Sequence, residues 1–199
     1  MSNFDNLAKN GAYVLFKPLF DEINSRLSKG DLILAIDGGS ASGKTTLASL
    51  IQETFGGVIF HMDDFFLPPE MRTPERLCEV GGNVHRERFL SEVLIPLSEK
   101  KAVEYRKFNC STGGFGDIVS VVPSRLTIIE GVYSMHDELC SYYGLTVFLE
   151  SDKETQKNRI LNRNPSKAMR FFNEWIPLEN VYFEKMNIKD KCDFTFNTK

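Results

Sequence analysis

The chain has 199 residues, enough for one α/β domain with a real core. Apolar residues make up 42% and charged residues 26%, a globular rather than a disordered balance. A net charge of −3, from 24 basic and 27 acidic side chains, argues against a general nucleic-acid binder, which is usually basic.

No apolar run approaches the length of a membrane span. The first residues, MSNFDNLAKN, lack the charged-then-apolar layout of a signal peptide. Cys78, Cys110, Cys140 and Cys192 are scattered without a CxxC pair, so free thiols in a reducing cytosol are expected. These absences lead to a cytoplasmic expectation, with neither nucleic acid nor membrane as partner. There is no internal repeat, low-complexity tract or long linker.

Apolar residues at Leu7, Val14, Leu15, Leu19, Ile23 and Leu27 fit an amphipathic helix, broken or kinked near Pro18 and ending at Gly30. The run 32–36 (LILAI) suits a strand buried on both faces, as in a parallel sheet. A helix is expected over Lys44–Phe55 and a second buried strand over 58–60, ending at His61, Met62, Asp63 and Asp64. A Pro- and Gly-rich loop covers 68–82. Phe89, Val93, Leu94 and Leu97 mark another helix. The segments 103–108 and 118–122 read as two strands joined by a flexible 111–114. Buried-type strands follow at Leu126–Glu130 and 145–149, and Ser151 with Glu154 forms a capping box. A helix over 178–186 and a closing strand at 194–196 complete a three-layer α/β pattern with a largely parallel sheet. Ligands in such sheets bind beyond the carboxyl ends of the strands, where the motifs below fall.

Gly38, Gly39, Ser40, Ala41, Ser42, Gly43, Lys44 and Thr45 match G-x-x-x-x-G-K-[ST] in full, between an expected strand and an expected helix. Small residues let backbone N–H groups turn inward around an anion. The following helix points its positive end at the same place. Lys44 adds a mobile charge that can track a transferred phosphoryl group, and Thr45 offers a hydroxyl to Mg²⁺. Thr46 completes the set of loop residues assigned to nucleotide binding. The motif alone does not separate kinases from other NTPases.

Asp63 and Asp64, at the end of a strand, should point to opposite sides, leaving one to face the phosphate loop. It would accept a hydroxyl proton there; the alternative is a pair of acidic turn residues. Glu130, followed by Gly131, is a candidate for holding Mg²⁺ or else a surface carboxylate at a strand end.

Together, GGSASGKTT, HMDDFFLP and IIEGVYSMH resemble the uridine kinase and phosphoribulokinase family, closest to bacterial uridine kinase-like proteins. The resemblance runs from about Leu32 to Phe196 and is weak before Gly30. It implies the three-layer P-loop NTPase fold. It also implies phosphoryl transfer from ATP, with Mg²⁺, to a hydroxyl of a nucleoside or ribose-like small molecule. It places the catalytic aspartate at Asp63. HMDDFF is also similar to a segment of nicotinamide riboside kinase, so nicotinamide riboside, pantothenate or a sugar phosphate stays open as acceptor. The family's base-contacting Tyr-Asp-Phe segment is replaced by 106–110 (RKFNC), with no histidine following. Its ribose-binding acid is missing near 83–85, with Glu87 close by. A nucleotide-binding regulator with little kinase activity therefore also stays open.

In the resembling kinases an arginine-bearing lid closes over ATP. Arg159, Arg163 and Arg170 flank the polar stretch 162–166, with Arg163 the first candidate and Arg159 the next. Arg72, Arg76, Arg86 and Arg88 are either salt-bridge residues or face an anionic acceptor. Phe65, Phe66 and Phe108 either stack on a base or belong to the core. The acceptor-side set is Asp63, Phe66, Arg88 and Phe108. The division expected is a helical segment over 1–30 packed on a kinase domain over 31–199. Family members are often oligomers, which leaves a homo-oligomer open.

Overall fold

The structure, a computed structural model, describes residues 11–199; Leu7 lies outside the described residues. Helix α1 (Gly11–Lys29) runs through Pro18 without a break. The expected interruption does not occur. Pro18 lies on the exposed side, while Phe16, Leu19, Phe20 and Ile23 bury one continuous stripe across it. Val14 and Leu15 are exposed, so the buried stripe is set by the phenylalanines.

Strand β1 (Leu32–Gly38) leads into the glycine-rich loop and α2 (Lys44–Phe55). Strand β2 (Val58–His61) stops at His61, and Met62–Phe65 is a 3₁₀ turn. Asp63 and Asp64 therefore sit on a turn rather than on alternating faces of a strand. A short helix α3 (Pro74–Cys78), capped by the Thr73 side chain, interrupts the next loop.

Helix α4 spans 86–98 as Arg86–Phe89, a π turn Leu90–Leu94, and Ile95–Ser98. Strands β3 (Val103–Asn109) and β4 (Gly114–Val121) form a separate antiparallel hairpin. Then come β5 (Leu126–Glu130), β6 (Leu145–Glu150) and α5 (Lys153–Arg163). The N-cap of α5 is Asp152, whose carboxylate accepts from the Thr155 N–H at 2.9 Å. This corrects the expected Ser151 cap; the Ser151 Oγ is buried without a partner.

Helix α6 spans 168–185, again with a π turn (Phe171–Trp175) inside it, and α7 (Ile188–Lys191) and β7 (Phe194–Asn197) end the fold. Each π turn lies just ahead of a proline, Pro96 or Pro177. A proline ring collides with the carbonyl four residues earlier, and the wider turn relieves that collision.

The main sheet has the order β2-β5-β1-β6-β7, all parallel. One face (Leu34, Ile36, Ile128, Val147, Leu149) packs under α1 and α2. The other carries Phe60 and Ile129 against α4 and the hairpin, and Ala35 and Phe148 against Tyr182 of α6. Helices on both faces make the three-layer arrangement expected from the strand–helix alternation. All four cysteines are free thiols. No helix among the described residues is long and apolar enough to cross a membrane.

Candidate active site

The parallel register brings three strand ends together. Glu130 of β5 is level with Ile36 of β1 and His61 of β2. The loop over 38–43 rises from this line. Gly38 has φ +144, and a Cβ there would lie 2.1 Å from the Leu149 carbonyl oxygen, so only glycine fits. Ala41 (φ 60) and Gly43 (φ 99) take left-handed conformations that fold the loop into a nest.

Five successive loop carbonyls are pinned from outside. The Lys44 ammonium donates to the oxygens of Gly38 (2.8 Å) and Gly39 (2.9 Å). Gln156 donates to Ser40 O (2.9 Å), Arg159 to Ala41 O (3.2 Å) and the Thr198 hydroxyl to Ser42 O (2.7 Å). The N–H groups of Gly38, Ser40 and Ser42 are engaged by Asp37, Glu179 and the Gly39 carbonyl, which leaves the remaining loop amides and the unpaired first-turn N–H groups of α2 for an anion. Thr46 shares a cavity of about 990 Å³ on the outer side of this loop with Lys44, Thr45, Arg159, Arg163 and Thr198.

On the inner side, the Thr45 hydroxyl donates to Glu130 Oε1 at 3.2 Å, and His61 Nδ1 lies 2.6 Å from the same oxygen. This hydrogen bond raises the His61 pKa against the opposing effect of burial. Asp63 and Asp64 differ sharply. Asp64 accepts from Tyr105 OH (3.3 Å) and pairs with Lys107 (3.1 Å). Asp63 is exposed as a residue, yet nearby protein partly desolvates its carboxylate. Desolvation therefore raises its pKa; Glu130 and Asp64 push the same way, and Lys44 and His61 oppose.

The remaining expected residues are spread around this centre. Phe66 forms an isolated bridge with Val84. Phe108 is buried against Phe115, with the Arg72 guanidinium 6.0 Å over its ring. Arg88 lies beneath the hairpin between Phe65 (4.4 Å) and Phe115 (4.8 Å), donating to the carbonyls of Asp64 and Arg106. Arg76 and Arg86 are salt-bridged to Glu79, Glu87 and Glu138. Glu87 is thereby tied up, and Arg170 pairs with Glu174.

Three buried groups behind the loop were not foreseen. Asp37 accepts from the N–H groups of Gly38 (2.7 Å) and Met135 (2.9 Å) and from Tyr182 OH (2.7 Å). Burial raises its pKa. Glu179 accepts from the Ser40 N–H (2.8 Å) and hydroxyl. An acid closing an apolar strand was a visible signal for Asp37. Glu179 and Tyr182 reach the loop from 139 and 145 positions away, and no local pattern announces that.

The geometry agrees with the comparisons. The chain is 28% identical to a uridine kinase of Chlamydia pneumoniae, over 66% of its own length and 62% of that protein's. A uridine kinase of Geobacillus kaustophilus is 25% identical, over 79% of this chain and 82% of the relative. Sequence and strand-end geometry coincide. The chain is thus similar to uridine kinases in sequence and shares the P-loop kinase fold. Among solved structures, a possible uridine kinase from Bacillus stearothermophilus superposes with a TM-score of 0.64 at 23% identity, covering 90% of this chain and 99% of that one. A putative fructose transport system kinase from Silicibacter has the same TM-score at 21% identity, covering 84% and 90%. Both show the fold. No protein-family model matches the chain.

Proposed function

We propose that the protein transfers the terminal phosphoryl group of ATP to a hydroxyl of a nucleoside or ribose-like small molecule. The observation that carries this reading is the convergence of a complete phosphate loop with the open Asp63 and the Thr45–Glu130 pair at one end of the sheet.

In this reading the 38–46 loop holds the phosphates through Lys44 and those amides not already engaged by Asp37, Glu179 and the Gly39 carbonyl. The nucleoside end of ATP lies in the cavity beside Arg159 and Arg163. Arg163, at the end of α5 and lining the same cavity, is the lid arginine of this reading and would reach the donor's phosphates only on closure. The Thr45 hydroxyl and Glu130 carboxylate are hard oxygen donors that would hold Mg²⁺. Mg²⁺ held there would screen phosphate charge. The acceptor lies between Asp63, Phe66 and the hairpin, near Arg88 and Phe108.

Asp63 takes the proton of the acceptor hydroxyl as its oxygen bonds to the γ-phosphorus. The bond to the bridging oxygen breaks, and ADP leaves with that electron pair. Asp64 is held by Tyr105 and Lys107, which leaves Asp63 as the base. The working setting is the cytoplasm, with no nucleic acid or membrane partner. Residues 11–30 and 31–199 act as one compact unit, and self-association is open.

Asp63→Asn is expected to lower turnover by at least about a hundredfold while ATP affinity stays within a fewfold of wild type. Lys44→Ala should abolish turnover. Steady-state rates with calorimetric ATP titration check both; near-normal turnover in Asp63→Asn would remove Asp63 as the base.

A further inference from the structure

Helix α6 meets the phosphate loop at two points from one face. Glu179 and Tyr182 are three residues apart, so they stand one above the other on the helix. Their partners, Ser40 and Asp37, are also three residues apart, across the entry of the loop. Tyr182 donates to Asp37 Oδ2 at 2.7 Å, while Asp37 Oδ1 accepts the Gly38 N–H that opens the loop. Glu179 takes the Ser40 N–H on Oε2 at 2.8 Å and the Ser40 hydroxyl on Oε1.

Glu179 is 4% exposed and Tyr182 is fully buried, their neighbourhood closed by the Tyr133 ring, 4.8 Å from that of Tyr182. Holding a carboxylate at such a site is unfavourable for folding unless it is well bonded. A neutral residue of similar shape would fill the space without that cost. The carboxylate instead spends both oxygens on one loop residue, through charge-assisted bonds that fix direction as well as distance. Catalysis by positioning is sensitive to displacements of this kind.

We propose that Glu179 and Tyr182 are positioning residues: a two-point clamp that sets the shape of the phosphate loop and so its grip on nucleotide. The clamp rests on the kinase reading for its purpose, but its effect on the loop is measurable without any acceptor. Glu179 touches neither nucleotide nor acceptor in this assignment and acts through Ser40.

The test is calorimetric titration of Mg²⁺-ADP into wild type, Glu179→Ala, Glu179→Gln, Ser40→Ala and the double variant Ser40→Ala/Glu179→Ala, each with its thermal midpoint. Glu179→Ala should weaken ADP affinity by about tenfold or more, the scale of a lost charge-assisted bond. Glu179→Gln, which keeps one acceptor for the Ser40 N–H, should recover part of it. The double variant should be no weaker than Glu179→Ala, because the two residues share one interaction. Kinetically, KM for ATP should rise more than kcat falls.

If Glu179→Ala melts like wild type and binds ADP within twofold, the clamp is refuted. If Glu179→Ala fails to fold, Glu179→Gln and Ser40→Ala decide by the same twofold criterion. A protein that binds ADP as predicted across the series but phosphorylates nothing would leave the clamp standing and remove the kinase reading.

Discussion

Asp63 and Asp64 show how much one position matters. Both lie on the Met62–Phe65 turn, but only Asp64 is engaged by Tyr105 and Lys107. Asp63 has a pKa raised above the ordinary aspartate value of 3.8, mainly by desolvation. A base must be ionised to work, and a raised pKa keeps it protonated to higher pH. Turnover should therefore fall, as pH drops, on an acid limb lying above 3.8. A pH–rate profile at saturating Mg²⁺-ATP checks this; a limb at the ordinary value would contradict it. The phosphate-loop residues were legible because they are contiguous and their types follow from the anion they face. Lys44, Thr45 and Glu130 were legible for the same reason, as charged or hydroxyl groups at strand and helix ends. Glu179, Tyr182, Gln156 and Thr198 were not. Their parts come from tertiary contacts to single loop atoms, which leave no pattern along the chain.

The strands were readable as elements, since a parallel sheet buried on both faces demands short apolar runs. Helix details were less so. Two candidate caps, Ser151 and Asp152, stand side by side, and only the turn geometry selects Asp152. Pro18 suggested a break in α1, yet burial of residues on either side carries the helix through it. The β3–β4 hairpin depends on α4 through Arg88, whose guanidinium lies against Phe65 and Phe115 and holds the Asp64 and Arg106 carbonyls. Arg88→Ala removes the stacking and leaves the Asp64 and Arg106 carbonyls without that donor. The expected loss is about 2–4 kcal/mol of unfolding free energy. Arg88→Lys should recover little, because an ammonium cannot stack and fork as a guanidinium does. Urea unfolding monitored by circular dichroism measures both; a loss under about 0.5 kcal/mol for Arg88→Ala would show that the rivet is not needed.

In the proposed reading, donor and acceptor lie on two sides of one loop. The cavity beside Arg159 and Arg163 lies outside it, and Asp63, Glu130 and His61 lie inside. The phosphoryl group would pass across the line of strand ends, where the sheet register fixes Glu130 level with His61. In that reading the 106–110 segment and the Glu87–Arg76 pair bear on the acceptor side, while the phosphate loop keeps its full motif. The central claim is thus transfer to a small hydroxyl acceptor. ADP release from Mg²⁺-ATP tests it most directly, measured with uridine, cytidine, nicotinamide riboside, pantothenate and phosphorylated pentoses in turn. The account predicts that at least one nucleoside or ribose-like acceptor stimulates release strongly and that Asp63→Asn abolishes the stimulation. Tight ATP binding with no stimulation by any of them would contradict it and favour a nucleotide-binding regulator.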